Sequence, residues 1–140
     1  MEALGVAASV VAVIELSAKV ASLCVRYSLA AKSAKSDITR LEAELRDLEK
    51  LVGDVQHLIS GPDGAKLPAS QKLLGAAHDC IMQLKALEKR LDPGKTRKAI
   101  SRFGFQALKW PFESNEVDKV IRQLERCKET FSLALQVDQT

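Results

Sequence analysis

Aromatic residues make up only 4% of this chain, so its core must be aliphatic. Cysteine is sparser still. Cys24, Cys80 and Cys127 are odd in number and lack short spacings, which argues against a disulfide framework or a zinc site. Each falls on the apolar stripe of a different expected helix and reads as a reduced, buried thiol of a cytosolic protein. The two histidines, His57 and His78, lie on separate helices with no metal-binding spacing. There is no GxSxG elbow, no phosphate-binding glycine loop and no dinucleotide fingerprint. Carboxylates such as Glu42 and Asp47 belong to a charged helix face. The expectation is a protein that is not an enzyme and uses no cofactor or metal.

Long apolar runs are also missing. The longest uninterrupted one, Ala3 to Ile14, covers 12 residues, whereas a single membrane span needs about 20. Met1-Glu2 supplies no basic n-region for a signal peptide. Glu at position 2 excludes myristoylation. No strand pattern, internal repeat or low-complexity tract is present.

What the sequence does hold is helix. At 140 residues, with 46% apolar and 28% charged residues, it reads as one soluble globular domain over residues 1–140. A first helix spans about Ala3 to Ala31. In the second, Ile38, Leu41, Leu45, Leu48, Val52, Val55 and Ile59 recur in steps of three and four. Ser36 or Asp37 is positioned to cap it, and Gly61-Pro62-Asp63-Gly64 ends it. The third runs from near Pro68 to Leu91 on Leu73, Ala77, Cys80, Leu84, Leu87 and Leu91. The last begins after Trp110-Pro111-Phe112, with Ser114 or Asn115 as cap, on Val117, Val120, Leu124, Cys127, Phe131 and Leu135. These elements predict an all-α, antiparallel four-helix bundle, with an additional short basic helix before the last long one.

Charge is unevenly distributed. Lys95, Arg97, Lys98, Arg102 and Lys109 lie in a stretch without acids, while residues 36–59 carry six acids against three bases. The basic stretch is either a solvated face or a contact for anionic lipid. It matches no nucleic-acid module, and no nucleic-acid partner is expected.

The first helix differs from the others. Residues 3–14 hold four Ala, four Val and one each of Ile, Gly, Ser and Leu, where the second and third helices are built on Leu. β-branched residues are mediocre helix formers in water, and small residues let helices approach closely in lipid. At about 100° per residue, Glu15, Lys19 and Arg26 share one narrow face. That face continues toward the N-terminus as Ala12, Ala8 and Gly5. Two arrangements fit. Either the stripe faces water over a buried remainder (Val6, Val10, Val13, Ile14, Leu16, Val20, Cys24), or the helix detaches and oligomerises in a bilayer. In the second case Glu15 and Lys19 face a lumen. One molecule can have both states if its bundle is bistable.

The opening Met1-Glu2-Ala3-Leu4-Gly5-Val6-Ala7-Ala8-Ser9-Val10-Val11-Ala12-Val13-Ile14 resembles the N-terminus of fungal HeLo-like domains. These domains head fungal NOD-like receptors and cell-death effectors. The Leu108–Phe112 segment, followed by a charged helix through Thr130-Phe131-Ser132-Leu133-Ala134-Leu135, is similar too. The resemblance implies a helical bundle that permeabilises membranes once an upstream signal forces it to oligomerise. It implies an insertion segment of Ala3, Leu4, Gly5, Val6, Ala8, Val10, Val11, Ala12, Val13 and Ile14, with Gly5, Ala8 and Ala12 as its packing face. It further implies membrane lipids, further copies of the chain and an upstream receptor or signalling domain as partners; that the lipids are anionic is read from the charge of Lys95, Arg97, Lys98, Arg102 and Lys109. The location implied is cytoplasmic at rest and plasma membrane on activation. The chain is then expected to be a domain excised from the N-terminus of a longer protein. The competing expectation is a soluble homotypic interaction module.

Overall fold

A computed structural model describes the backbone of residues 2–30, 34–60, 70–91 and 110–139, and the side chains of 5–29, 34–58, 73–91 and 110–133. Four α-helices make up the described chain: α1 (Glu2–Ala30), α2 (Lys35–Ser60), α3 (Ser70–Leu91) and α4 (Ser114–Gln139). The expected all-α four-helix bundle is therefore present, with no strand among the described residues. The expected basic helix over residues 95–109 lies outside them.

The described residues of the stripes read from the sequence lie in the core, while the side chains of Ile59 and Leu135 lie outside the described residues. Ile38, Leu41, Leu45, Leu48, Val52 and Val55 of α2 are fully buried, as are Leu73, Ala77, Cys80, Leu84 and Leu91 of α3. In α4, Val117, Leu124, Cys127 and Phe131 are buried, Val120 is half-buried, and Ile121 joins the core unexpectedly. From α1 come Val6, Val10, Val13, Ser17, Val20, Cys24 and Tyr27. These steps of four and three keep one side of a helix on the bundle axis.

α1 packs on α2 and α3, and α4 packs on the same two helices, leaving α1 and α4 diagonally opposite. Cross-helix pairs set the directions. Lys19 to Glu88 and Tyr27 to Leu91 advance together along α1 and α3. Arg40 to Asp118 and Glu44 to Lys128 advance together along α2 and α4. Gln83 to Cys127 and Arg90 to Glu116 run in opposite senses along α3 and α4. Successive helices thus reverse direction, but α1 has a parallel neighbour in α3.

The helix starts differ from expectation. At α4, Glu113 is the capping residue. Its carbonyl accepts from the N–H groups of Glu116 and Val117, at 3.0 and 3.1 Å. Its own N–H donates to the Glu116 carboxylate at 3.3 Å, half of a capping box. Ser114 Oγ instead donates to Asp37 Oδ2 at 2.7 Å, which ties α4 to α2. Because α2 already begins at Lys35, Ser36 and Asp37 lie inside its first turn. The Asp37 carboxylate accepts from Ser114 and, at 3.5 Å, from Arg40.

Ser17 is the one polar side chain among the fully buried residues described, and its hydroxyl has no hydrogen-bond partner. A buried donor left unmade costs about 1–3 kcal/mol. Ser17→Ala is therefore expected to stabilise the bundle by about 1 kcal/mol, read as a higher urea midpoint with an unchanged slope. A lower midpoint would show that the hydroxyl is satisfied.

Candidate functional site

The two sides of α1 are chemically distinct. Toward the axis, Val6, Val10 and Val13 are buried, and Val11, Ile14 and Leu16 are half-buried around them. Toward solvent stand Gly5, Ala8, Glu15, Lys19, Ser22 and Arg26, with Ala12 half-buried in the same line. The stripe read from the sequence is thus the outer face of α1. Ala3 and Leu4 belong to the helix, but their side chains lie outside the described residues. Lys19 donates to Glu88 of α3 at 2.9 Å. Glu15, the other charge assigned to a lumen, stands exposed four residues earlier.

The outer face of the first turns is unusual for a water-soluble bundle. α2 presents Arg40, Arg46, Asp47, Lys50 and Asp54 to solvent, and α4 presents Lys119, Arg122, Glu125, Arg126 and Glu129. Between Gly5 and Ile14, α1 presents no charge at all. The segment Gly5–Leu29 is long and apolar enough to cross a membrane by length and composition, and 39% of its most apolar window is buried in the bundle. It reaches this length although the uninterrupted run stops at Ile14, because Glu15, Lys19 and Arg26 are its only charges. The core helix of a soluble protein meets the same two criteria, so the bare outer face is the more informative feature.

At its other end α1 is latched. Tyr27 is buried, and its hydroxyl donates to the Leu91 carbonyl at 2.9 Å. Leu91 ends α3, where the last carbonyls have no intrahelical donor, so one side chain satisfies a helix end and joins two helices. The Tyr27 ring meets Trp110 edge-on at 5.4 Å, and Trp110 meets Phe112 at 5.3 Å. Arg90 lies 4.2 Å over the Phe112 ring, donates to the Pro111 carbonyl at 2.7 Å and pairs with Glu116. That guanidinium, with the Glu113 N–H, holds the Glu116 carboxyl below the usual carboxylate range. The cluster binds α1, α3, residues 110–112 and the start of α4 together. Sequence reasoning singled out the Trp110-Pro111-Phe112 punctuation but not Tyr27 or Arg90. Their partners are more than sixty and more than twenty residues away.

The basic residues Lys95, Arg97, Lys98, Arg102 and Lys109 lie outside the described residues. Among the described residues, no group of three or more His, Cys, Asp or Glu side chains is placed to hold a metal ion. No protein-family model, curated protein or solved structure matches the chain.

Proposed function

We propose that this chain is a HeLo-like membrane-permeabilising execution domain. It is held as a cytoplasmic bundle until oligomerisation releases α1 into the plasma membrane. The observation that carries this reading is the charge-free outer face of α1 between Gly5 and Ile14, above a buried Val6, Val10 and Val13. A helix at the surface of a soluble bundle ordinarily turns a charged or polar face to water, and one without such a face suits a buried core or hydrocarbon. Residues 5–14 carry no charge on any side and Ser9 as their one polar side chain, and the bundle covers only one of their sides. Once released, Gly5, Ala8 and Ala12 supply the close helix–helix contact that small residues allow in lipid. Glu15 and Lys19 then turn toward a shared aqueous lumen, where charge is tolerated. Lys95, Arg97, Lys98, Arg102 and Lys109 supply attraction to an anionic leaflet, at about 1 kcal/mol per cation near the surface. An upstream receptor or signalling domain, in cis or in trans, provides the oligomerising trigger.

The chain is to be joined to a chemically inducible oligomerisation module and added to dye-loaded vesicles with and without phosphatidylserine. The expected result is dye release that needs the inducer and is several-fold faster with the anionic lipid. Induced oligomers that float with vesicles without releasing dye, or never bind them, would rule out permeabilisation. Concentration-dependent self-association in that case would favour the soluble interaction module.

A further inference from the structure

An open groove of about 710 Å³ runs between α2 and α4. Leu51 of α2 and Leu133 of α4 give it apolar surface, and Leu133 is 60% exposed. Glu125 and Glu129 line it from α4, one turn apart and both exposed. The one cation among its described lining residues, Lys128, is already committed. It pairs with Glu44 at 2.5 Å and reaches Asp47 at 4.0 Å. Glu125 and Glu129 form no ion pair among the described residues, and neither does Asp54, exposed one turn after Leu51. Arg122 and Arg126 of α4 are also exposed but do not line the groove.

An apolar floor between uncompensated carboxylates suits a helix that carries an aromatic side chain among cations. The sequence holds such a stretch. Lys95, Lys98, Arg102, Phe105 and Lys109 recur in steps of three and four, and no acid lies between them. On a helix these five share one face, with Phe105 between Arg102 and Lys109.

As a helix, a chain's own stretch is tethered out of reach of its groove. Leu91 and Trp110 both meet Tyr27 at the other end of the bundle. Lys109 adjoins Trp110, and Lys95 is four residues from Leu91, a span of at most about 14 Å. Glu125 and Glu129 lie about 16–22 Å along α4 from its first residue, at 1.5 Å per residue. The same stretch of another copy has no such tether.

We propose that the groove between α2 and α4 receives residues 95–109 of a second copy of this chain. Phe105 meets Leu51 and Leu133, and the cations on either side of it meet Glu125, Glu129 and Asp54. The contact is heterologous, because the stretch leaves one end of the donor bundle and enters the acceptor toward its other end. Repeated from copy to copy, such a contact closes a ring or runs on as a filament. It forms in water without lipid, so it stands apart from the membrane reading.

Sedimentation of the full chain at rising concentration, in low salt and without lipid, tests the contact. Self-association is expected, weakened several-fold by added salt. Reversing the groove (Glu125→Lys with Glu129→Lys) or the stretch (Lys98→Glu with Arg102→Glu) is expected to weaken it by about tenfold or more, since like charges then meet. Combining the four substitutions is expected to restore it, because the signs match again. Phe105→Ala is expected to weaken it without changing its salt dependence. Thermal melts at the parent midpoint show that each variant folds. A parent that stays monomeric throughout, association unchanged by either reversal, or a combined variant that stays apart would overturn the proposal. So would association lost with the groove reversal but kept with the stretch reversal, which would seat a different segment, or a second groove, on this face.

Discussion

Ala8→Asp is expected to abolish dye release while leaving the bundle's stability within about 0.5 kcal/mol of the parent, as surface substitutions usually do. Val10→Asp, two residues further on, is expected to abolish cooperative unfolding altogether. Ala8 is on the solvent side of α1, where a carboxylate stays hydrated. Val10 is fully buried, and an unpaired buried carboxylate costs several kcal/mol, a large share of the 5–15 kcal/mol that holds a typical domain together. In the released state the Ala8 side changes environment. A charge at the centre of a membrane helix costs about 2.5–3.5 kcal/mol, more than a tenfold effect, though less near the ends. At position 8 it also sits on the packing face, and every protomer adds another like charge. Deleting residues 1–14 separates these effects less well, because it strips Val6, Val10 and Val13 from the core as well. Thermal melts and induced leakage on both variants check the pair. An Ala8→Asp protein that melts normally and leaks normally would remove the N-terminal turns from the insertion mechanism.

That contrast also marks what the amino-acid pattern shows and what it hides. Leu-based helices advertise their buried side by steps of three and four, so Ile38 through Val55 and Leu73 through Leu91 were legible. The stripe from Gly5 to Arg26 was legible for the same reason, since Glu15, Lys19 and Arg26 mark the outer side and the period extends it. Within residues 5–14, however, hydrophobicity treats Ala8 and Val10 alike. Only the period from Glu15 backward tells them apart, and the structure places one in water and the other in the core. The parallel seating of α1 on α3 depends on contacts such as Tyr27 with Leu91, which leave no local trace. Ser114 does not cap α4 because its hydroxyl reaches Asp37 across the bundle, and Asp37 does not cap α2 because that helix already begins at Lys35. Ile121 was passed over because a stripe drawn through Val117, Val120 and Leu124 already satisfied the period.

Tyr27→Ala should act in the opposite direction from Ala8→Asp, by loosening the resting state. It removes a buried ring that meets Trp110 and the hydroxyl that satisfies the Leu91 carbonyl. Large aromatic-to-alanine changes in cores cost about 3–5 kcal/mol. Tyr27→Phe removes only the hydrogen bond, worth about 1 kcal/mol. If the lost contacts hold α1 against α3, about 3 kcal/mol shifts the balance toward release by more than a hundredfold. The Tyr27→Ala chain is then expected to leak vesicles without any oligomerising trigger, with Tyr27→Phe in between. Ser17→Ala moves stability the other way and is expected to demand more inducer than the parent. General destabilisation must be told apart from release of α1. Leu124→Ala does this, because Leu124 is buried in α4, the helix diagonal to α1, and its loss costs a comparable 2–5 kcal/mol. Spontaneous leakage by Tyr27→Ala but not by Leu124→Ala, at matched fractions folded, locates the trigger at the α1–α3 latch. Equal leakage by the two, or none by either, would show that detachment of α1 is not the activating step.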